Sequence, residues 1–380
     1  MEGVVHILYV ALPEISGSTV RSHSMMLSQK RYLKDIQIYV APTSKGTKGS
    51  YEKDGINYHY LSGTFNPSSE SQKSILIQCI KALGFLVWYV KLIIRLCKGI
   101  DDVSIVHCHS MFITVLPILL LQKIYPHIRV IYEIRSFWEL RITNRLKFRL
   151  ARGMENFVAK YVDNIVVISS AMKVDLVARG LSPERITINR NFIEIKEVPK
   201  KIPEKILNFA YVGNVSNIEG IEHLIEAFEE LALVNAKLTI YGQGSFLKEL
   251  SSKFHERYFY GGFEKGDVLS IYENIDAVVI NRRGLEICHK VTPLKPLEAV
   301  NFNKLLLASN VGGIVEIMNG NESNYISYNY DCKNSLKQAL LYAYNMSTKE
   351  IEDKILASRI WLTEHRSEGS YIKDFIRLYE

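Results

Sequence analysis

The strongest constraint on the fold is an alternation that runs through the chain and then starts again. Short β-branched and apolar runs, "VVHILYV" (4–10), "IQIYV" (36–40), "SIVHC" (104–108), "RVIYEI" (129–134) and "NIVVIS" (164–169), are separated by segments with helical spacing. After residue 200 the series resumes with "NFAYVG" (208–213), "AKLTIYG" (236–242), "DAVVIN" (276–281) and "KLLLAS" (304–309). Apolar runs of this length between polar turns suit parallel strands buried on both faces. The segments between them keep the other period: in "IEHLIEAFEEL", Ile221, Leu224, Ile225, Phe228 and Leu231 fall on one face of a helix. Two such series predict two doubly wound α/β domains, and 380 residues suffice for two cores. The join falls in "FIEIKEVPKKIPEK" (192–205), charged, with two prolines and no helical period, which sets the domains at 1–195 and 196–380. The closing segment is helical by pattern, and its last helix is a candidate to cross back to the first domain, which spacing alone does not decide.

Several classes drop out. The net charge of +7 favours an anionic ligand or lipid surface without a nucleic-acid signature, so no nucleic acid is expected as a partner. Five scattered cysteines with no Cys-x-x-Cys pair argue against disulfides and structural zinc, and for the cytoplasm. "MEGVVHILYVALPE" reads as a first strand rather than a signal peptide. In "ALGFLVWYVKLIIRLCKG" (82–99), Lys91 and Arg95 interrupt the apolar run, leaving a buried amphipathic helix, the favoured reading, or one lying on a membrane. The basic stretch 140–160, with Arg141, Arg145, Lys147, Arg149 and Arg152, is a solvated helix face or a second contact with anionic lipid.

In doubly wound sheets the ligand sits where strands end and helices begin. The first such turn, "LPEISGSTVRSH", supplies Gly17 and Ser18 for close backbone approach and Arg21 on the following helix, but no G-x-G-x-x-G fingerprint of a nicotinamide enzyme. In "VHCHSMF" one histidine is expected to pack and the other, His109, to face the ligand, with no further metal ligand at a suitable spacing. "YEIRSFWEL" places Glu133 and Arg135 at a strand end suited to a polar acceptor. In the second half, Gly213 with Asn214, Gly242, and Phe263 beside Gly261 and Gly262 mark three turns along one sheet edge.

The most informative stretch is "INRRGLEICHKVTPLKPLEAV". It runs from a strand through Arg282, Arg283, Thr292 and Leu294 into a helix near Pro296, where proline is tolerated in the first turn. Lys295 adds a full positive charge at that helix start, a setting for an anion. Glu298 is placed to accept hydrogen bonds from ribose hydroxyls. No Ser or Thr stands at 295 to pair with it in a capping box.

"SIVHCHS", "VVISSAMKVDLVARGLSPERITINRNFIE", "YVGNVSNIEGIEHLIEAFEEL", "LTIYGQG" and "TPLKPLEAVNFNKLLLASNVGGIVEI" together resemble the retaining glycosyltransferases of the GT-B fold, the family-four group, over almost the whole chain. The resemblance implies two Rossmann-like domains facing each other across a cleft, an acceptor-side N-terminal domain and a nucleotide-sugar-binding C-terminal one. It implies transfer from a UDP- or GDP-sugar to a saccharide or lipid-linked acceptor, with no metal or other cofactor. It assigns the ribose to Glu298, the donor sugar and phosphate to His109, the diphosphate to Gly17 and the base to Phe263. Catalysis is then expected of His109, Lys295 and Glu298, donor binding of Gly17, Ser18, Gly213, Asn214, Gly242, Phe263, Arg282, Arg283, Thr292 and Leu294, and acceptor binding of Arg21, Glu133 and Arg135.

Three positions depart from the family pattern. Lys290 stands where the first glutamate of the Glu, seven residues, Glu motif belongs, and Asn214 and Glu219 replace two cations that grip the diphosphate. Phosphate charge would then fall to Lys295, Arg282 or Arg283. A non-catalytic nucleotide-sugar-binding subunit and a GT-B epimerase are the alternatives. Glycoside hydrolysis lacks a convincing carboxylate pair.

Overall fold

The computed structural model describes residues 3–14, 16–33, 35–42, 49–62, 75–199, 201–260 and 268–380. The chain divides into two units: Met1–Asn189 together with Ile372–Glu380, and Arg190–Tyr371. The division thus falls six residues before the sequence boundary at 195.

The first unit runs β1 (Gly3–Leu8), α1 (Gly17–Lys30), β2 (Ile36–Val40), β3 (Gly49–Lys53), β4 (Ile56–Tyr60), α2 (Ile75–Cys97), β5 (Val103–His109), α3 (Leu116–Ile124), β6 (Arg129–Ile134), α4 (Arg145–Tyr161), β7 (Asn164–Val167), α5 (Ser170–Ala178) and β8 (Ile186–Ile188). Its sheet order is β3-β4-β2-β1-β5-β6-β7-β8, parallel except for the β3–β4 hairpin. That hairpin was not anticipated. It turns at Asp54 and Gly55, both with positive φ (51° and 72°), as the tight turn of a twisted hairpin requires. Ser16 caps α1 in a reciprocal box with Thr19, which fixes where the first helix leaves the sheet edge.

The second unit runs β9 (Asn208–Val212), α6 (Ile221–Leu231), β10 (Lys237–Tyr241), α7 (Leu247–Lys253), β11 (Phe259–Tyr260), α8 (Val268–Glu273), β12 (Ala277–Ile280), α9 (Glu286–Lys290), α10 (Lys295–Asn301), β13 (Leu305–Ser309), α11 (Gly312–Ile317), β14 (Ile326–Tyr328), α12 (Lys333–Asn345) and α13 (Thr348–His365), followed by α14 (Glu368–Tyr379). Its sheet is wholly parallel, in the order β11-β10-β9-β12-β13-β14. Ile221, Leu224, Ile225 and Phe228 of α6 bury the predicted face against Phe209, Tyr211 and Ile240 of the sheet. Truncating Phe209 to alanine there would cost roughly 3–5 kcal/mol. α14 ends in the first unit, where the Tyr379 hydroxyl meets His107 Nδ1 at 2.6 Å.

In each sheet the strand order reverses once, between β1 and β5 and between β9 and β12. Such a switch point separates two loops and leaves a crevice at the carboxyl ends of the strands. α2 departs from the favoured reading. Trp88, Leu92 and Leu96 form a buried stripe, but Leu83, Leu86, Val90 and Ile94 on the other side are exposed. No helix among the described residues is long and apolar enough to cross a membrane.

Candidate functional site

At the first switch point a single carboxylate gathers everything around it. Glu133, at the end of β6, is fully buried. Its Oε1 accepts from Arg21 Nη2 at 2.9 Å and Nε at 3.3 Å, and its Oε2 from His109 Nδ1 at 2.6 Å and Arg135 Nη2 at 3.1 Å. Arg21 also donates to the Asn189 carbonyl, and Arg135 to Ser18 and to Ser22 Oγ of α1. Burial alone would raise the Glu133 carboxyl, but Arg135 and Arg21 outweigh it and hold it well below the usual range. Arg21, Glu133 and Arg135 therefore bind one another. Both Glu133 oxygens are taken up in holding the two guanidiniums and His109 in place.

His107 and His109 also differ from expectation. Residues two apart on a strand share a face, and the two rings stack at 4.1 Å between centroids. β1 lies in register with β5, His6 opposite His107, which brings His6 Nδ1 to 2.9 Å from His109 Nε2. With Nδ1–H donated to the ionised Glu133, His109 Nε2 is the acceptor and His6 the donor. Both nitrogens of His109 are thus held inside the protein, and burial pushes its pKa down to about 3. A donor contact through His109 would need this arrangement to open. His6, His107 and His109 offer ring nitrogens within 4.8 Å of one another, the one such group among the described residues. Arg21 and Arg135 stand on the same carboxylate, so a dication there would face two fixed positive charges at short range in a dry site. The cluster fits a metal poorly.

The second switch point is built differently. Lys295, the first residue of α10, lies with Nζ 2.8 Å from Glu219 Oε1 and 2.6 Å from the Tyr211 hydroxyl, 4.8 Å above the Tyr211 ring. The acid at 219, where the family pattern leads one to expect a cation, is therefore the partner of Lys295. Burial raises the Glu219 carboxyl, while Lys295 and Arg282 lower it by more, so it stays ionised. Arg282 is buried and donates Nη1 to the Val291 carbonyl at 2.9 Å. Its Nε and Glu219 Oε2 are buried with no hydrogen-bond partner among the described residues. Buried polar atoms left open in this way are uncommon in a finished core.

The glycines here have internal reasons. A Cβ on Gly213 (φ 138°) would sit 2.4 Å from Lys295 Cε, and one on Gly242 1.9 Å from the Gly213 carbonyl oxygen. Gly213 makes room for Lys295, and Gly242 lets the second turn lie on the first. Gly312 and Gly313, not singled out before, would clash with the His289 and Val291 carbonyls, so they seat α11 on the loop leading to Lys295. Thr292 in that loop is occupied, its carbonyl and hydroxyl accepting from Asn191 Nδ2 at 2.8 and 3.1 Å. Arg283 donates to Asn217 Oδ1 at 3.0 Å, Lys290 pairs with Glu286 at 2.5 Å, and Asn214 is exposed. Leu294 is the N-cap of α10 and makes no side-chain cap. Glu298 falls in the first turn beyond it, where burial raises its carboxyl, with Lys295 and Lys196 opposing. Gly17 and Ser18 lie exposed at the start of α1. Phe263, with Gly261 and Gly262, lies outside the described residues.

Two parallel, doubly wound units define the GT-B architecture, and solved structures agree. The chain is similar to sucrose-phosphate synthase (tll1590) from Thermosynechococcus elongatus, with a TM-score of 0.77, 12% identity, and 100% of this chain and 98% of that one covered. It is similar to Anabaena Alr3699/HepE in complex with UDP (0.70, 12%, 100% and 99%) and to an E. coli protein bound with UDP-2-fluoro glucose (0.72, 13%, 99% and 98%). At such identities the likeness speaks for the fold. The sequence finds no significant match among curated proteins. "Glycosyl transferases group 1" matches residues 192–354 and "Glycosyltransferase Family 4" residues 49–197. The chain belongs to the group 1, family-four glycosyltransferases of the GT-B fold, and it is a transferase acting on a nucleotide-sugar donor and a saccharide acceptor.

Proposed function

We propose that the chain moves a hexosyl or N-acetylhexosaminyl group from a UDP- or GDP-sugar to a growing cell-surface polysaccharide or lipid-linked saccharide, with retention of configuration and without a metal, at the inner face of the cell membrane. The observation that carries the reading is the cluster of Lys295, Glu219 and Arg282 at the second switch point, with two buried polar atoms left open. As the glycosidic bond breaks, its electron pair leaves with the diphosphate, and charge grows on the phosphate oxygens. Lys295, already oriented by Glu219 and Tyr211, meets that charge without first being ordered. The Nε–H of Arg282 supplies a further donor. The acceptor hydroxyl attacks from the face the diphosphate leaves, and its proton passes to a departing phosphate oxygen. Glu298 takes the ribose hydroxyls. UDP is favoured as the carrier by two proteins of the same fold, one in complex with UDP and one bound with UDP-2-fluoro glucose.

A second reading, a non-catalytic nucleotide-sugar-binding subunit, draws on the same pair, because Glu219 already neutralises Lys295. An epimerase would act on the donor with no acceptor at all. Nucleotide release from a panel of UDP- and GDP-sugars, with and without a cell-envelope lipid extract, separates the three. Release that needs the extract, collapses in Lys295→Ala and demands more donor in Glu298→Ala supports the transferase. Binding without release favours the subunit, and a changed sugar without an acceptor favours the epimerase.

A further inference from the structure

We propose that α2, α3 and α4 of the first unit form one docking surface for an anionic lipid bilayer. The strands these helices connect step the same way along the sheet, β4 to β5, β5 to β6 and β6 to β7. Right-handed crossovers therefore place all three helices on one face. They are joined there: Tyr89 of α2 donates to the Ile113 carbonyl at 2.8 Å, and α4 packs on the same turn at Phe112–Thr114.

Of the 25 large apolar side chains exposed among the described residues, 12 lie on these helices, five on α2, two on α3 and five on α4. On α4 they recur at helical spacing from Leu146 (67% exposed) through Leu150 to Phe157 (50%), and on α3 they include Ile124 (70%). A water-facing helix ordinarily turns its polar side outward. These do the reverse on one flank.

Charge selects the occupant. The three helices hold nine lysines and arginines and one acid, Glu155, a formal +8 against +7 for the whole chain, so everything else sums to −1. Glu155 is buried and accepts from the Tyr132 hydroxyl at 2.6 Å, so it offers no acid to that surface. Exposed Arg145, Lys147 and Arg149 alternate with the apolar stripe of α4. Apolar side chains set among cations match the boundary of an anionic leaflet, the stripe entering the acyl region and the long cationic side chains reaching back to phosphate. A second copy of the chain would bring the same nine cations against themselves. Nucleic acid would leave the stripe in water. With no spanning helix, the contact is peripheral. Delivery of a lipid-linked acceptor by this surface rests on the transferase reading above, whereas binding to lipid does not.

The test is flotation of the full chain with phosphatidylcholine vesicles made with and without phosphatidylglycerol, at low and high salt, with no donor or acceptor present. Two variants accompany it, Leu150→Glu with Phe157→Glu, and Arg145→Glu with Lys147→Glu and Arg149→Glu. We expect recovery with the anionic vesicles about tenfold or more above that with neutral ones, reduced by salt. Both variants should fall to the neutral-vesicle level while keeping the wild-type melting temperature and circular dichroism. No flotation on anionic vesicles, or variants that float like wild type, overturns the proposal. So does a dimer in light scattering that the Leu150→Glu, Phe157→Glu variant dissolves, since a second copy would then be the occupant. Nucleotide release by the same preparations is scored separately, so a transferase that ignores vesicles and a vesicle-binding protein that releases no nucleotide are told apart.

Discussion

Each unit sets one carboxylate between cations at the switch point of its sheet, and the two carboxylates are finished differently. Both oxygens of Glu133 are occupied, by Arg21 on one side and by His109 and Arg135 on the other. Glu219 uses one oxygen for Lys295 and leaves the other open, beside an Arg282 Nε that is open too. The first cluster is closed at its carboxylate, which holds its cations rigidly, although His6 Nε2 and His107 Nε2 beside it are buried without a hydrogen-bond partner among the described residues. The second is buried yet incomplete: the open Arg282 Nε–H is a donor that an added anion would satisfy, while the open Glu219 oxygen calls for a donor such as a hydroxyl.

The largest expected effect breaks the closed cluster. Glu133→Ala leaves two guanidiniums buried against each other and should lower stability by about 3–5 kcal/mol in urea unfolding. Lys295→Ala should act chiefly on the reaction, lowering nucleotide release about 100-fold or more for loss of one preorganised donor. Glu219 loses its ion-pair partner but keeps Arg282, and Lys295 is partly exposed, so the urea midpoint should fall by less than in Glu133→Ala. If Lys295→Ala unfolds the protein as readily as Glu133→Ala and leaves turnover intact, the distinction between closed and receptive clusters fails.

A third test sharpens the contrast with another buried acid of the first unit. Glu155 lacks the two guanidiniums that keep Glu133 ionised, and burial lifts its carboxyl to about 7 despite the Tyr132 hydrogen bond. The folded chain thus holds this proton more tightly than the unfolded one. The stability it contributes is full below the ordinary glutamate range and is lost as pH rises through about 7, about 3 kcal/mol in all. Glu155→Gln keeps a partner for Tyr132 and should flatten that part of the curve, exceeding wild type above pH 7 in denaturation series. The smallest effect is expected at Glu298, where alanine should raise the donor KM about tenfold through lost ribose hydrogen bonds, read from initial rates.

Much of the fold was legible because parallel strands buried on both faces write themselves as apolar runs. β2 and β6 fall on the anticipated residues, and the other anticipated strands differ only by residues at their ends. What was missed is short or local. The β3–β4 hairpin is polar and lies at a sheet edge, though Asp54-Gly55 between alternating residues was a usable turn signal. β14 has three residues, too few for any period to register. Site residues were legible as types and places, since charge at a strand end stands out, but not as partners. Nothing in the order of residues says that Glu219 pairs with Lys295, or that His6 meets His109 across 103 positions. Those pairings exist only once strands lie in register. The expectation that His107 and His109 part company was an error of period, since alternation along a strand puts neighbours, not next-neighbours, on opposite faces.

The division of the chain has a consequence for its synthesis. The first unit begins at the amino end but takes in Ile372–Glu380, with Tyr379 closing on His107, while the second unit lies wholly between. Translation delivers the parts in that order. The second unit can therefore be complete while the first still waits for its last helix, so the half begun earliest on the ribosome is the half finished last.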